Sequence, residues 1–433
     1  MDVSPHYDVI LVGAGISGLF AARELLKQHP DWNVAICEKY KALGGRTSTF
    51  HKDGWHWEAG AGRIHKSHTH VIKLLREYGL TWVPIGAAIN YKPSGGITQP
   101  NPFESIYVPH FLKPLEALKQ RELGTHTLQQ ICEKVYGNAQ TREIFAPFPY
   151  RAEVNTLRAD LGLHSFLEGE MRGHEGYGIV KEGFSALVNA LVADIEARGA
   201  VILRRHTLQS FSAGPGKATD LTFQYGTFRR NGSKQEEHGR IILRAEKVAI
   251  LTLCRCHVAA LPQFRNHPLL KKVQGRPLLR IYMAFETTPK KPVWFHNMAH
   301  LVLPNLPRYI IPIDPNAGTI MISYTDAEDT KVYHDILEKE GEKALEARVL
   351  ADVRRALPEY EIPDPLFTKA HDWGTGASYW TPGEYDPAIE SHKALRPFKE
   401  YPGLYMCGES WSLRQAWVEG ALEHTEGLLQ ILK

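Results

Sequence analysis

A chain of 433 residues is too long for one ordinary core, so two domains are expected. Hydrophobic residues at 43% and charged residues at 23% are ordinary for a soluble, well-packed protein. The 51 basic and 48 acidic residues leave a formal charge of +3, which gives no basis for nucleic acid or an anionic membrane as partner.

The short basic runs Arg204-Arg205 and Lys271-Lys272 read as solvated faces. Five cysteines, an odd number, show neither a C-x-x-C pair nor metal-finger spacing, and predict reduced thiols in the cytoplasm. The opening Met1-Asp2-Val3 lacks a basic region followed by a long apolar run. Neither a signal peptide nor a membrane span is expected.

Taken in chain order, residues 8–12 read as a buried parallel strand that leads into Gly13-Ala14-Gly15-Ile16-Ser17-Gly18. A helix is expected from Leu19 to Gln28, then a second strand over 33–38, making a β-α-β unit. Between about 80 and 180 prolines at 84, 93, 100, 102, 109 and 114 argue for loops, with helix near Thr127–Tyr136. Phe184, Leu187, Val188, Leu191, Val192 and Ile195 share one helix face, which Gly199 stops. From 201 to 252 short strand runs alternate with Gly214-Pro215-Gly216 and Asn231-Gly232-Ser233, as in a β-meander. The stretch 262–330 reads as irregular, 334–357 as one amphipathic helix, and Leu404–Cys407 as a strand before a final helix.

The glycine motif is informative because of its context. Gly13 permits the tight turn, Gly15 lets a pyrophosphate approach the backbone, and Gly18 lets helix and strand pack closely. The helix N-terminus offers amides and a partial positive charge to phosphates, with Ile16 and Ser17 of the preceding motif as further expected contacts. Glu38, twenty residues after Gly18, would accept from ribose hydroxyls and repel a 2′-phosphate.

The run from Glu38 to Gly44-Gly45-Arg46 resembles the FAD-dependent amine oxidase superfamily, which includes monoamine and polyamine oxidases, L-amino acid oxidases and protoporphyrinogen oxidase. Gly408-Glu409, with Gln415-Ala416-Trp417-Val418-Glu419-Gly420-Ala421, is similar to that superfamily's closing motif. The resemblance implies an α/β (α+β two-domain) flavoprotein, with a Rossmann-type FAD-binding domain interleaved with a substrate domain of mixed sheet and helices. Expected FAD-binding segments are 1–78, 180–268 and 396–433, and substrate segments 79–179 and 269–395. It further implies flavin contacts from Lys39, Gly45, Arg46, Gly60, Ala61, Gly62, Arg63 and Leu208, and from Gly408, Glu409, Ala416, Trp417 and Val418. The cysteine that tethers flavin in monoamine oxidases has no counterpart in Trp373–Pro382, so non-covalent FAD is expected.

Arg63, closing Trp57-Glu58-Ala59-Gly60-Ala61-Gly62-Arg63, stands where L-amino acid oxidases carry an arginine that clamps the substrate carboxylate. A planar fork held bidentately would fix the α-hydrogen against flavin N5. A structural arginine pairing locally is the other reading. Tyr324, in Ile322–Asp326, resembles a carboxylate-holding tyrosine of L-tryptophan oxidases in bisindole-pigment pathways, or is a core strand residue. Trp417 matches an aromatic wall before the flavin, and Trp380 is expected nearby; either also suits a core. An aromatic wall favours the neutral amine.

Arg280 replaces the family's lysine beside N5; it cannot act as a base but would supply positive charge. Gly376 falls where monoamine oxidases have a cage tyrosine, so a wider cavity is expected. His65, His68 and His70 read as a solvated helix start, and no metal spacing is found.

The expected reaction is oxidation of an L-amino acid at Cα–H, with hydride passing to flavin N5. The product imine hydrolyses to keto acid and ammonia, and oxygen is reduced to hydrogen peroxide. Oxidation of a plain mono- or polyamine, desaturation or oxidation of a larger biosynthetic intermediate, and a non-catalytic FAD-binding scaffold all stay open, as does a homodimer.

Overall fold

A computed structural model describes residues 5–169, 171–172, 175–227 and 236–433. Met1-Asp2-Val3 and the turn Asn231-Gly232-Ser233 lie outside the described residues.

The first strand, His6–Val12, lies between Val34–Glu38 and the long strand Glu236–Leu251 and runs parallel to both. Val201–Arg204 adds in parallel beyond Val34–Glu38. Leu404–Met406 pairs in parallel with Ala249–Leu251, while Thr219–Thr227 and His206–Ala213 extend the same sheet antiparallel. Parallel strands covered on both faces should be apolar throughout rather than alternating. Val9, Ile10 and Leu11 are accordingly 0% exposed.

Val9 and Leu11 face the helices Ile16–Gln28, Phe184–Ala197 and Val418–Leu432 through Leu19, Leu25, Leu187, Leu191, Leu422 and Leu428. Ile10 and Val12 face Phe211, Phe223, Leu261 and Trp411 on the other side. The first helix begins at Ile16, inside the glycine motif, rather than at Leu19. Its start therefore sits where the strand ends, which positions the site.

A second sheet runs in the order Phe367–Trp380, Val273–Ala284, Thr319–Asp326, Tyr309–Asp314, His300–Val302, Ile89–Tyr91, Gln99–Pro100. One face packs Leu279, Ile281, Met283, Ile320 and Ile322 on the helices Lys331–Glu340 and Glu342–Ala356. The other packs Tyr282, Tyr309 and Met321 on Phe103, Phe148 and Phe166. The two sheets thus draw on interleaved stretches of chain, and the architecture is the expected mixture of helix with parallel and mixed sheet.

Three expectations change. The stretch 262–330 is not irregular: it holds four strands of the second sheet, and Pro277 is accommodated where the register shifts between Arg276 and Leu278. The proline-rich stretch holds a wide helical segment, Phe103–Leu112, with Pro109 inside it, while the helix expected near Thr127–Tyr136 is present, started by a capping box of Thr127 and Gln130 and resumed after a kink at Gly137 as far as Phe145. The single helix over 334–357 is two helices, broken at Gly341, whose φ of 87° an L side chain rarely adopts. Among the described residues no helix is long and apolar enough to cross a membrane.

Candidate active site

The carboxyl ends of the first two strands, the loop after Trp57 and the start of the last helix enclose one cavity of about 570 Å³, and the second sheet closes its far side. At the motif, the Gly13 N–H donates to Cys37 O at 2.8 Å and closes the turn onto the second strand. A Cβ on Gly18 would lie 2.1 Å from Gly13 O, so only glycine lets helix and strand meet there. A Cβ on Gly15 would meet nothing within 4 Å; the backbone there is open to the cavity.

Glu38 is 7% exposed and lines the cavity; Oε2 accepts from Ala14 N at 2.8 Å and Oε1 from Tyr40 N at 2.9 Å. The glycine turn docks on this cradle, with Gly44 N donating to Ala14 O at 2.8 Å. Arg46 then reaches across to the C-terminal motif, where Nη2 meets Glu409 Oε2 at 2.8 Å and Nη1 donates to Gly376 O at 3.1 Å. Glu409 is fully committed: Ser378 N and Ala416 N donate to its Oε1 at 3.0 and 2.9 Å. The two motifs at opposite ends of the sequence are one ion-paired unit. The open glycine backbone, the helix start and the buried carboxylate fit a dinucleotide, with Lys39, Arg46 and Leu208 along the same wall.

Arg63 lines the cavity amid aromatic rings. Nη2 donates to Tyr150 Oη at 2.7 Å, and the guanidinium carbon lies 5.7, 5.1 and 5.9 Å from the ring centroids of Tyr150, Tyr177 and Trp417. Trp417 stacks near-parallel on Tyr177, with centroids 5.9 Å apart. His68, expected on a solvated helix start, is 1% exposed with its ring 5.1 Å from Trp417. Burial, then Arg414 and His65, lowers its pKa to about 3, so it stays neutral.

Arg280 sits opposite both Tyr324 and His371 in the sheet register, with its guanidinium 4.9 Å from the Tyr324 ring centroid. Nη1 donates to Gly60 O, and to Glu58 O at 3.3 Å. Tyr282 Oη donates to Glu58 O at 2.7 Å and Trp373 Nε1 to Ala59 O at 2.7 Å. The second sheet therefore grips, carbonyl by carbonyl, the loop that carries Gly60, Ala61, Gly62 and Arg63.

Of the expected site residues, the cavity brings together Gly13, Gly15, Ile16, Ser17, Glu38, Lys39, Gly45 and Arg46 from the first unit. It adds the loop Gly60–Arg63, with Leu208, Arg280, Tyr324, Gly408, Glu409, Ala416, Trp417 and Val418. Gly18 lies behind it as a packing residue. Trp380 is off the cavity wall: it is 0% exposed, and its indole N–H donates to Ser412 O at 2.8 Å. It is core, because its end of the strand runs past the site to pair with Val273.

Sequence reading missed Tyr150, Tyr177, Glu153 and Asp326. Glu153, half-buried, and Asp326, buried, line the cavity as a carboxyl pair. Burial first, and then Asp326, pushes Glu153 upward, although Tyr379 Oη donates to it at 3.2 Å. Asp326 is raised chiefly by burial, although it accepts from Arg151 N at 2.8 Å and Ala152 N at 2.9 Å. These residues lie in stretches with no local motif.

Fold and site together define a dinucleotide-binding protein. The chain belongs to the family described as flavin containing amine oxidoreductase, whose model matches residues 16–425, and the dinucleotide cradle fits the flavin that this family carries. Curated relatives match over short stretches. The L-amino acid oxidase of Cerastes cerastes is 39% identical over 74 residues, 17% of this chain and 14% of that protein. The L-amino-acid oxidase of Mus musculus is 43% identical over 74 residues, 17% of this chain and 11% of that protein. Prenylcysteine oxidase 1 of Rattus norvegicus is 32% identical over 87 residues, 20% and 17% of the two chains. Among solved structures, a putrescine oxidase double mutant superposes with TM-score 0.76 at 17% identity, covering 99% of this chain and 100% of that one. The wild-type putrescine oxidase bound to putrescine gives 0.74 at 17% identity, with 99% of both chains covered. These superpositions show the fold.

Proposed function

We propose that the protein is an FAD-dependent oxidase of free L-amino acids, and that it releases an imino acid and hydrogen peroxide. The observation that carries this reading is Arg63, a permanent cation in the cavity wall, walled by aromatic rings and steadied by the Tyr150 hydroxyl. A guanidinium in that setting is poorly hydrated and presents a planar fork, which suits a carboxylate. Tyr324 is a second donor at the same wall. Trp417 and Tyr177 exclude water, which favours the neutral amine over the ammonium.

FAD supplies the acceptor for the substrate's Cα hydrogen and electrons, and returns them to oxygen. Glu38 would hold the adenosine ribose, the Gly13–Gly18 turn and helix start the diphosphate, and Arg280 would lend positive charge beside the loop. The absence of any cysteine in Trp373–Pro382 supports non-covalent attachment. The five cysteines, all free in the structure, support a cytoplasmic setting. We read segments 1–78, 180–268 and 396–433 as the FAD domain and 79–179 and 269–395 as the substrate domain.

A specific observation favours a second reading: the Glu153 carboxyl in the cavity wall would suit the distal ammonium of a plain diamine. A peroxide-release panel that pairs each amino acid with its decarboxylated amine separates the two. Arg63→Ala is expected to raise KM for amino acids roughly 10- to 100-fold, the worth of a charge-assisted bidentate contact. An unchanged KM, or activity confined to the amines, overturns the amino-acid reading.

A further inference from the structure

Cys254-Arg255-Cys256-His257 follows the long first-sheet strand and lines the cofactor cavity, and the reaction proposed above does not use it. Cys254 Sγ lies 3.0 Å from Cys256 Sγ and 3.1 Å from His257 Nδ1. Cys256 is exposed and Cys254 is partly so, whereas Cys37, Cys132 and Cys407 are buried. The three donors are close enough to hold an ion between them. Two thiolates bound to one tetrahedral zinc, however, stand roughly 3.8 Å apart, as two bonds of about 2.3 Å require. The observed sulfur separation is shorter, on the way to a sulfur–sulfur bond of about 2.05 Å.

We propose that Cys254 and Cys256 form a reversible disulfide, with Cys254 as the sulfur that reacts with a hydroperoxide and Cys256 as the one that resolves it. The hydrogen-bonding contact between the two sulfurs and the nearby Arg46, which acts on Cys254, hold the Cys254 thiol at about 6 against the effect of burial. The same contact raises Cys256. Cys254 is therefore the thiolate at neutral pH, and Cys256 keeps its proton until it attacks. In the first step the Cys254 sulfur bonds to one oxygen of hydrogen peroxide, the O–O bond breaks, and the other oxygen leaves as hydroxide, which becomes water by taking up from solvent the proton that Cys254 had released. Cys254 is then a sulfenic acid, oxidised by two electrons. In the second step the Cys256 sulfur attacks it: the S–S bond forms, the S–O bond breaks, and a second water leaves with the Cys256 proton, which the His257 imidazole is placed to pass on. Two thiols and one peroxide give one disulfide and two waters, and a dithiol reductant reverses the bond by exchange. A low-pKa, accessible thiol beside a resolving partner is the arrangement such chemistry needs, and it does not depend on which amine is the substrate.

Arg255 lies between the two cysteines, so trypsin cuts the backbone there and leaves peptides 248–255 and 256–265. After brief hydrogen peroxide treatment of the holoenzyme and alkylation under denaturing conditions, these peptides are expected joined, two hydrogens lighter than their sum, and separated by dithiothreitol. Cys254 is expected to be consumed at least roughly tenfold faster than Cys37, Cys132 or Cys407. In Cys256→Ser the 248–255 peptide should instead gain oxygen, while in Cys254→Ser the 256–265 peptide should stay unreacted. Separate peptides carrying both alkyl groups after peroxide overturn the proposal, as does a bridge from either cysteine to another one. Peroxide protection by zinc at one equivalent per chain, with no bridge in its absence, overturns it in favour of a metal site.

Discussion

Glu58 shows how a single carboxyl can tie the cavity loop to pH. Its oxygens accept from Phe184 N at 2.9 Å and from Thr49 Oγ1 at 3.1 and 3.2 Å, yet burial outweighs these contacts and Arg280, and raises its pKa from 4.5 to about 7. A carboxyl raised in the folded state is held best while protonated. Its contribution is complete below about 4.5 and is lost as pH rises through about 7, a change on the order of 3 kcal/mol. Melting temperature should fall across that window in the wild type, and the fall should be shallower in Glu58→Gln. Parallel curves for the two would assign the pH response elsewhere. At the cradle, Glu38→Ala removes the acceptor of Ala14 N and Tyr40 N and should weaken FAD retention at least tenfold, read by flavin fluorescence after gel filtration.

At the scale of elements, the loop from Trp57 to Arg63 has little regular structure of its own and is held from outside. Trp57 stacks on Tyr282 with centroids 4.9 Å apart and donates to His371 Nε2 at 2.9 Å, while Arg280, Tyr282 and Trp373 take its carbonyls. Both Arg280 contacts come from Nη1, while its guanidinium carbon lies over the Tyr324 ring, 4.9 Å from the centroid, a stacking that lysine would reproduce less well. Arg280→Met leaves buried carbonyls unpaired and is expected to cost about 1.5–3 kcal/mol in denaturant unfolding, together with a raised KM. Arg280→Lys should recover part of both. If Arg280→Met lowers turnover with stability and KM intact, its role is charge at the flavin rather than loop anchoring. Gly18→Ala must push helix and strand apart, and should cost about 1–3 kcal/mol and release cofactor.

For the whole molecule, the cofactor seat joins the first fifty residues, the strands after 200 and the last helix, so ligand binding should hold distant parts of the chain together. FAD at a hundred times its Kd is worth about 2.7 kcal/mol, which for a chain of 433 residues is roughly a 3 °C rise in Tm. FMN, which lacks the adenosine that Glu38 would hold, should give a smaller shift; equal shifts would contradict the assignment of the cradle. The dinucleotide unit was legible in the sequence because its demands are local. A strand, three glycines, a helix start and a carboxylate twenty residues on each follow from backbone geometry within one β-α-β unit. Arg63, Tyr324, Trp417 and Arg280 were singled out by resemblance alone, since nothing near them in sequence says what they meet. Only the tertiary structure decided that Trp380 is core, that Arg46 and Glu409 are one ion pair, that Tyr150 and Glu153 share the cavity with Arg63, and that the Tyr177 ring lies 5.1 Å from its guanidinium. Pairing across hundreds of residues is set by how the two sheets pack, and side-chain burial in that contact leaves no periodic trace in a single strand or loop.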